Sequence, residues 1–296
     1  AATNHQRACR PFGDNCGFTL AEASQFIVLF DDELAVEMGA NIYGSVADVF
    51  INADGFKKSI PGPGIGNYLT VGKSLGVVRA ILGEQAMRQR TYIQAHGTGT
   101  PQNRVSESHI FNELAKTFRL EKWPVAAIKA YLGHSLATAA GDQIAASLGA
   151  WAHGIIPGVT TIDRVADDVH HSHLDILQEH KTFDPLQMDA TLINAKGFGG
   201  NNATAAILSP HVTANMLAKK HGASAMKQHM NRNESVQEQA AAYDTATTDG
   251  HNALIYKFGL GVIEGEQLEI TDQAIAIPGH AQHISLVVPN PYDDMI

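Results

Sequence analysis

Short apolar runs alternate with longer segments of helical periodicity along most of the chain. The apolar runs predict strands at 26–30, 41–50, 92–95, 125–129, 190–194 and 203–208. The intervening segments predict helices at 31–38, 70–89, 106–118 and 137–152. Strands that alternate with helices indicate a layered α/β fold.

The composition changes after Pro210. Residues 214–242 are rich in Lys, His, Gln, Asn and Met and predict an exposed helix, and residues 252–289 then show short alternating segments. We therefore expect 211–296 to form an α+β extension. The first methionine is Met38, and no basic or apolar leader precedes it, so we expect the chain to be the C-terminal piece of a longer protein.

Composition and charge exclude several classes of protein. Hydrophobic residues make up 44% of the 296 residues, which is enough to bury a core and excludes bulk disorder. The net charge of −9 argues against binding nucleic acid, and no apolar run is long enough to predict a membrane span. With only two cysteines, Cys9 and Cys16, no disulfide framework is expected, which favours a reducing, cytoplasmic location.

Candidate chemistry lies where three predicted strands end. His96-Gly-Thr-Gly-Thr-Pro101 follows one strand, Lys129 with Gly133-His134 follows another, and Gly197-Phe-Gly-Gly-Asn-Asn202 links two more. Each motif taken alone is explained as well by an ordinary turn or a capping residue. Ligands of α/β sheets bind outside the carboxyl ends of strands, so the three motifs together predict a site.

These motifs, together with Arg10-Pro-Phe12 and Asn194, have the order and spacing found in β-ketoacyl-ACP synthases. The chain resembles that family over residues 7–208, which implies the C-terminal half of a thiolase-like fold. On this interpretation residues 1–40 end the N-terminal ketosynthase half, 41–210 form the C-terminal half, and 211–296 are the extension. The extension is similar to that of the longer bacterial ketosynthases of fatty-acid initiation.

The resemblance also implies a reaction, the decarboxylative Claisen condensation of an acyl thioester with a malonyl thioester. His96 and His134 match the two histidines that hydrogen-bond the malonyl carbonyl while an enolate forms. Two aimed N–H donors stabilise such developing negative charge. Lys129 matches the lysine that supports the site electrostatically, and Glu107 matches the buried acidic residue of the family.

The remaining site residues are implied in the same way. Thr98 and Thr100 match the threonines that bind the pantetheine arm, and Phe198 matches the gating phenylalanine, whose backbone N–H completes the oxyanion hole. Gly199 and Lys196, in the same turn, are expected to bind substrate. Lys196 stands where the family usually has an aromatic residue, and Asn103-Arg104 replaces its Gly-Asp.

The family's partners and nucleophile complete the expectation. Its nucleophilic cysteine precedes the Arg-Pro-Phe segment, so Cys9 and Cys16 are interpreted as packing residues. The implied partners are acyl carrier protein with malonyl and acyl thioesters, or an acyl-CoA primer, and a second copy in a homodimer. No cofactor, metal or nucleic acid is expected.

Two other functions fit parts of the sequence. The chain could be a non-catalytic chain-length partner subunit, although such a subunit has no chemical need for both histidines and Lys129. Alternatively, Gly133-His-Ser135-Leu-Ala137 fits the nucleophile elbow of serine acyltransferases and hydrolases, with Ser135 as nucleophile. The acidic and histidine residues of 167–173 could chelate a metal, but surface charge explains them better.

Overall fold

The computed structural model of the chain describes residues 4–14, 17–55, 64–251 and 258–295. Two compact units are present, Ala1–Glu238 and Gln239–Ile296. The helices are α1 Asp32–Met38, α2 Gly66–Leu82, α3 Glu84–Gln89, α4 Pro101–Phe118, α5 Lys129–Leu132, α6 Ala139–His153 and α7 Pro210–Thr248. The strands of the first unit are β1 Ser45–Ala53, β2 Thr91–Gln94, β3 Trp123–Ala126, β4 Ile155–Ile156, β5 Leu174–Ile176, β6 Lys181–Thr182, β7 Ala190–Gly197 and β8 Asn201–Leu208.

A six-stranded sheet organises the first unit. Its strand order is β1-β8-β7-β2-β3-β5, with β7, β2, β3 and β5 parallel and with β8 antiparallel to both β1 and β7. Because β2 lies in the middle of the parallel part, all four of its residues are buried. The carboxyl ends of β2, β3 and β7 consequently meet at one edge of the sheet.

Helices cover both faces of this sheet. Ile93 and Leu192 pack in a core with residues of α2 and α4, whereas Tyr92 and Ile193 pack in a second core with Trp151 of α6. Successive residues of a strand point to opposite faces, so neighbouring positions of β2 and β7 enter different cores. This arrangement confirms the predicted layered α/β fold.

Two predicted helices show how local signals set their limits. Asp31 caps α1 by accepting a hydrogen bond from Leu34 N–H at 2.8 Å, and Gly39 ends it in the left-handed conformation. The helix predicted over 70–89 is instead two helices, because Gly83 between α2 and α3 has a φ of 86°. An α-helix cannot continue through a residue in that conformation.

The prediction of a buried strand at 26–30 is wrong. The segment has no regular structure, and its apolar side chains are exposed, with Phe26 at 93% and Leu29 at 74%. A buried strand requires a neighbour on each edge, and among the described residues no strand pairs with 26–30. The apolar pattern of this segment is typical of a strand, but the described part of the chain contains no strand that pairs with it.

The C-terminal region combines a long helix with a small sheet. α7 is broken at Gly222, where φ is 83° and ψ is 164°. In the second unit, β9 Glu269–Ile270, β10 Ala274–Ala276 and β11 Ile284–Ser285 form an antiparallel sheet.

The predicted domain boundaries at 40 and 210 stay predictions; the compact units divide after Glu238. Residues 252–257, at the start of the predicted alternating segments, lie outside the described residues.

Within the described residues, no helix has both the length and the apolar character that a membrane crossing demands.

The core predicts a large difference between two leucines of α2. Leu75 is fully buried, whereas Leu69 is 41% exposed. We expect L75A to lower the free energy of unfolding by about 2–5 kcal/mol, because it removes buried methyl groups and leaves a cavity. L69A should cost less than about 1 kcal/mol. Urea denaturation measures both, and equal losses would contradict the assignment of Leu75 to the core.

Candidate active site

The chain turns sharply at the end of β2 and places His96 beside α4. Gly97 and Gly99 have φ values of 51° and 70°. A Cβ on Gly99 would lie 2.0 Å from the carbonyl oxygen of Gly17, so only glycine permits this approach. The two glycines of the motif therefore set the path of the backbone on both sides of Thr98.

Glu107, which lies on α4 and is fully buried, joins the turn after β2 to β7. Its Oε1 accepts hydrogen bonds from His96 N–H at 2.7 Å and from the side-chain amide of Asn194 at 2.8 Å. Its Oε2 accepts from Gly97 N–H and from the side-chain amide of Asn103, both at 2.9 Å. One carboxylate thus fixes the turn after β2, the first turns of α4 and the end of β7.

His96 and His134 lie against each other. Their ring centroids are 5.2 Å apart with an interplanar angle of 82°, and Phe18 contacts the His134 ring edge-to-face at 5.7 Å. Leu136 N–H donates to His134 Nδ1 at 3.1 Å. Since Nδ1 accepts this hydrogen bond, the proton of neutral His134 is on Nε2, which leaves Nε2–H as the donor of this ring.

Lys129 is buried close to this pair. It opens the one-turn helix α5, because β3 ends at Ala126 rather than continuing to 129 as predicted. The side chain is 1% exposed, and Nζ has no hydrogen-bond partner among the described residues. Burial lowers the pKa of Lys129 to about 8, although the nearby Glu107, Cys9 and Asp142 act in the opposite direction.

Burial and positive charge together keep both histidines neutral. Loss of hydration, followed by the charge of Lys129, lowers the pKa of His96 well below its ordinary value. The same two causes lower the pKa of His134 to about 4. At neutral pH each ring is therefore an imidazole with one N–H donor.

Lys196 brings a second buried ammonium group to the site. It lies near the end of β7, is 5% exposed, and its Nζ is 3.5 Å from Ser106 Oγ. Burial lowers its pKa, and the nearby carboxylates of Glu107 and Asp54 raise it. Lys196 is also one of the positive charges that lower the pKa of His96.

The other predicted residues lie in the same two turns. The Thr98 and Thr100 hydroxyls are 3.1 Å apart, in the turn that carries His96. Phe198 and Gly199 form the turn between β7 and β8, where the Phe198 side chain is 71% exposed and its carbonyl accepts from the Asn201 side chain at 2.8 Å. β7 is the neighbour of β2, so both turns lie at the same edge of the sheet.

Comparisons with known proteins identify relatives of this chain. Residues 43–163 match the model of the β-ketoacyl synthase C-terminal domain. The chain is 47% identical over 98% of its length to FabY, a β-ketoacyl-[acyl-carrier-protein] synthase of Pseudomonas aeruginosa, and covers 46% of that protein. A crystal structure of this ketosynthase matches with a TM-score of 0.90, covering 98% of this chain and 45% of the other. The chain belongs to the β-ketoacyl synthase family.

More distant ketosynthases match roughly two thirds of the chain. The chain is 29% identical to 3-oxoacyl-[acyl-carrier-protein] synthase 2 of Synechocystis over 67% of its length, covering 46% of that protein. The ishigamide ketosynthase/chain length factor matches at 24% identity with a TM-score of 0.59, over 71% of this chain and 48% of the other. The chain thus spans about half the length of the ketosynthases it matches, and its fold is thiolase-like.

The geometry of Ser135 does not fit a nucleophile elbow. Its hydroxyl donates to the carboxylate of Asp142 rather than to an imidazole. Its own φ of −81° is unstrained, and the positive φ of the turn, 59°, falls on Leu136. An elbow places the strained conformation on the nucleophile itself and a histidine base beside its hydroxyl.

The two aspartates of the segment 167–173 form ion pairs at the surface. Arg104 Nε and Nη2 donate to the two carboxylate oxygens of Asp168 at 2.8 and 2.9 Å, and its Nη1 donates to Gly13 O at 2.8 Å. Asp167 pairs with Arg164 at 3.0 Å. Among the residues that the structure describes, no group of three or more potential ligands is arranged to hold a metal ion.

One buried polar residue escaped the sequence analysis. Gln143 lies on α6, fully buried, with its amide nitrogen among backbone carbonyls of β2 and β7. The available signal was a glutamine inside a helix of mostly small apolar residues. A buried amide in such a helix requires polar partners, and the ends of strands supply them.

We expect Glu107 to be essential for stability as well as geometry. In E107Q, the amide nitrogen would replace an oxygen that accepts two hydrogen bonds, leaving two buried N–H donors without a partner. Each such donor costs about 1–3 kcal/mol, so the free energy of unfolding should fall by about 2–6 kcal/mol. Urea denaturation compares E107Q with E113Q, a half-buried glutamate of the same helix; similar small losses would refute the role of Glu107.

Lys129 should lower the stability of the protein at neutral pH. Its pKa of about 8, against 10.5 for a free side chain, makes the native state bind this proton less tightly than the unfolded state. The contribution of Lys129 to stability therefore rises as the pH increases from 8 to 10.5, by at most about 3 kcal/mol, and this gain is lost as the pH falls through 8.

A methionine at this position has similar size and no charge. We expect K129M to unfold at higher urea concentration than the wild type at pH 7, with a difference that shrinks towards pH 10.5. K116M, at an exposed position of α4, serves as control and should show no such dependence. A K129M variant less stable than the wild type at pH 7 would contradict this account.

Proposed function

We propose that this chain forms part of a β-ketoacyl-ACP synthase that condenses an acyl thioester with malonyl-ACP in fatty-acid or polyketide biosynthesis. The observation that carries the proposal is the pair of neutral histidines, His96 and His134, in contact beside the buried Lys129 at the carboxyl edge of the sheet. The 47% identity to FabY, a β-ketoacyl-ACP synthase, supports the same reaction.

The pair fits the decarboxylation step. When the bond between the malonyl α-carbon and its carboxylate breaks, CO₂ leaves and the electron pair moves towards the thioester oxygen. N–H donors from His96 and His134 would stabilise the enolate oxygen, and the Lys129 ammonium adds a positive charge in a water-poor site. The α-carbon then attacks the acyl thioester, a C–C bond forms, and the enzyme sulfur leaves as a thiolate.

The acyl group would be carried by a cysteine outside this chain. Cys9 is poorly suited to the task, since it is buried and burial raises its pKa, which keeps the thiol protonated. Cys16 lies outside the described residues. The chain covers 46% of FabY, which leaves room for the nucleophile in the remainder of the protein.

The two turns at the sheet edge would receive the substrate arm. In this proposal Thr98 and Thr100 bind the pantetheine arm, Gly199 and Lys196 contact substrate, and Phe198 gates the acyl chain while its N–H completes the oxyanion hole. The partners are acyl carrier protein, with malonyl and acyl thioesters or an acyl-CoA primer, and a second copy in a homodimer. We place the enzyme in the cytoplasm.

Substitution of the histidines tests the proposal in the intact protein. H96A and H134A each remove one N–H donor to the enolate oxygen, so CO₂ release from malonyl-ACP should fall by about 10²–10³-fold. Transfer of an acyl group to the enzyme, followed by intact mass, should change little, because that step needs no enolate.

The exposed His153 at the end of α6 provides the matched control, and H153A should behave as wild type in both steps. Near-normal decarboxylation by H96A or H134A would refute the assigned roles. A wild-type protein that takes up no acyl group would instead favour the non-catalytic partner subunit.

A further inference from the structure

Gln143 lies where the pairing between β2 and β7 ends. It lies on α6 and is fully buried. Its Nε2 is 2.8 Å from the carbonyl oxygen of Ala95 and 3.1 Å from those of Gln94 and Asn194. One amide group of a helix therefore contacts backbone carbonyls of both β2 and β7.

These carbonyls lie where the ladder between β2 and β7 stops. The last paired residues are Gln94 and Ile193, after which the two chains separate to form the turns that carry His96 and Phe198. A carbonyl that leaves a sheet inside the protein loses its ladder partner and must find another donor. Gln143 supplies that donor.

The same peptide group is held from the opposite side by Glu107. The Ala95 carbonyl accepts from Gln143, and the His96 N–H of that peptide donates to Glu107 at 2.7 Å. Asn194 is held in the same manner, by its carbonyl to Gln143 and by its side-chain amide to Glu107 at 2.8 Å. Gln143 from α6 and Glu107 from α4 thus hold β2 and β7 by hydrogen bonds at the point where their pairing ends.

We propose that Gln143 is a positioning residue, which together with Glu107 fixes the backbone of His96 relative to β7 for the decarboxylation step. The role in decarboxylation deepens the proposed function and rests on it. The positioning of the His96 backbone rests on the three carbonyl contacts of Gln143. Only a donor serves here: an aliphatic side chain offers no N–H, and an ionised carboxylate would oppose three carbonyl oxygens.

The test uses the intact protein with Q143M, which keeps the length of the side chain and removes its donor. We expect CO₂ release from malonyl-ACP to fall about 10- to 100-fold, because loss of a buried donor loosens the His96 peptide. Acyl transfer to the enzyme should stay within about twofold. In hydrogen–deuterium exchange, the amides of 94–98 should exchange faster, while those of 108–118 should not change.

Two further variants separate positioning from general destabilisation. Ser147 is buried one turn along α6 and donates to the main-chain carbonyl of Gln143 at 2.8 Å, within its own helix, so S147A should behave as wild type in both half-reactions. Q143E keeps the shape, and in a buried site among carbonyls its carboxyl holds a proton that can be donated. Its decarboxylation rate should therefore lie between those of Q143M and the wild type.

Three results would overturn the inference. Decarboxylation by Q143M within twofold of the wild type would show that His96 needs no such support. Equal losses in both half-reactions, with faster exchange throughout the chain, would reduce Gln143 to a packing residue. A Q143E rate no higher than that of Q143M would remove the role of the donor. If the wild type itself released no CO₂, the proposed function would fail, and exchange at 94–98 alone would decide the positioning role.

Discussion

The buried carboxylate of Glu107 is the interaction on which the site depends. It accepts four N–H groups, two from the backbone at His96 and Gly97 and two from side-chain amides. A carboxylate can hold four donors because it offers lone pairs in several directions and carries no proton of its own. The turn after β2, the start of α4 and the end of β7 therefore share one anchor, and none of them can shift without breaking hydrogen bonds of the others.

Two buried lysines share the site with this carboxylate, and Asp142 and Asp54 add further negative charge. Lys129 and Lys196 both interact favourably with Glu107, yet burial still lowers the pKa of each. Burying these ammonium groups costs folding free energy, and burial together with the charge of Lys129 keeps His96 and His134 neutral. For a site that must stabilise a developing oxyanion, this arrangement has a purpose: the imidazoles donate while uncharged, and the lysines supply the field.

The sequence predicted the elements and their chemistry where the signals are local. The Asp31 cap, the glycines around Thr98 and the apolar runs of β2 and β7 each act through neighbouring residues, so they can be identified without a structure. The end of β3 could not be located, since the apolar pattern continues to Ile128 although the ladder stops at Ala126. Gln143 was missed because its partners are separated from it by about 50 residues in sequence. The segment 26–30 failed for a related reason, since a strand is defined by partners that its own sequence does not specify.

Parallel strands that end inside a protein create a general difficulty, and this chain shows one solution. β2 and β7 stop pairing with each other in a water-poor region, where unpaired backbone carbonyls and amides cost free energy. Helices on the two faces of the sheet provide the missing partners, α4 through the acceptor Glu107 and α6 through the donor Gln143. The acceptor Glu107 on one face binds the N–H of the peptide between Ala95 and His96, and the donor Gln143 on the other face binds its carbonyl. Catalytic residues placed on that peptide acquire a fixed orientation from interactions that the fold already requires, which explains why His96 follows the strand so closely.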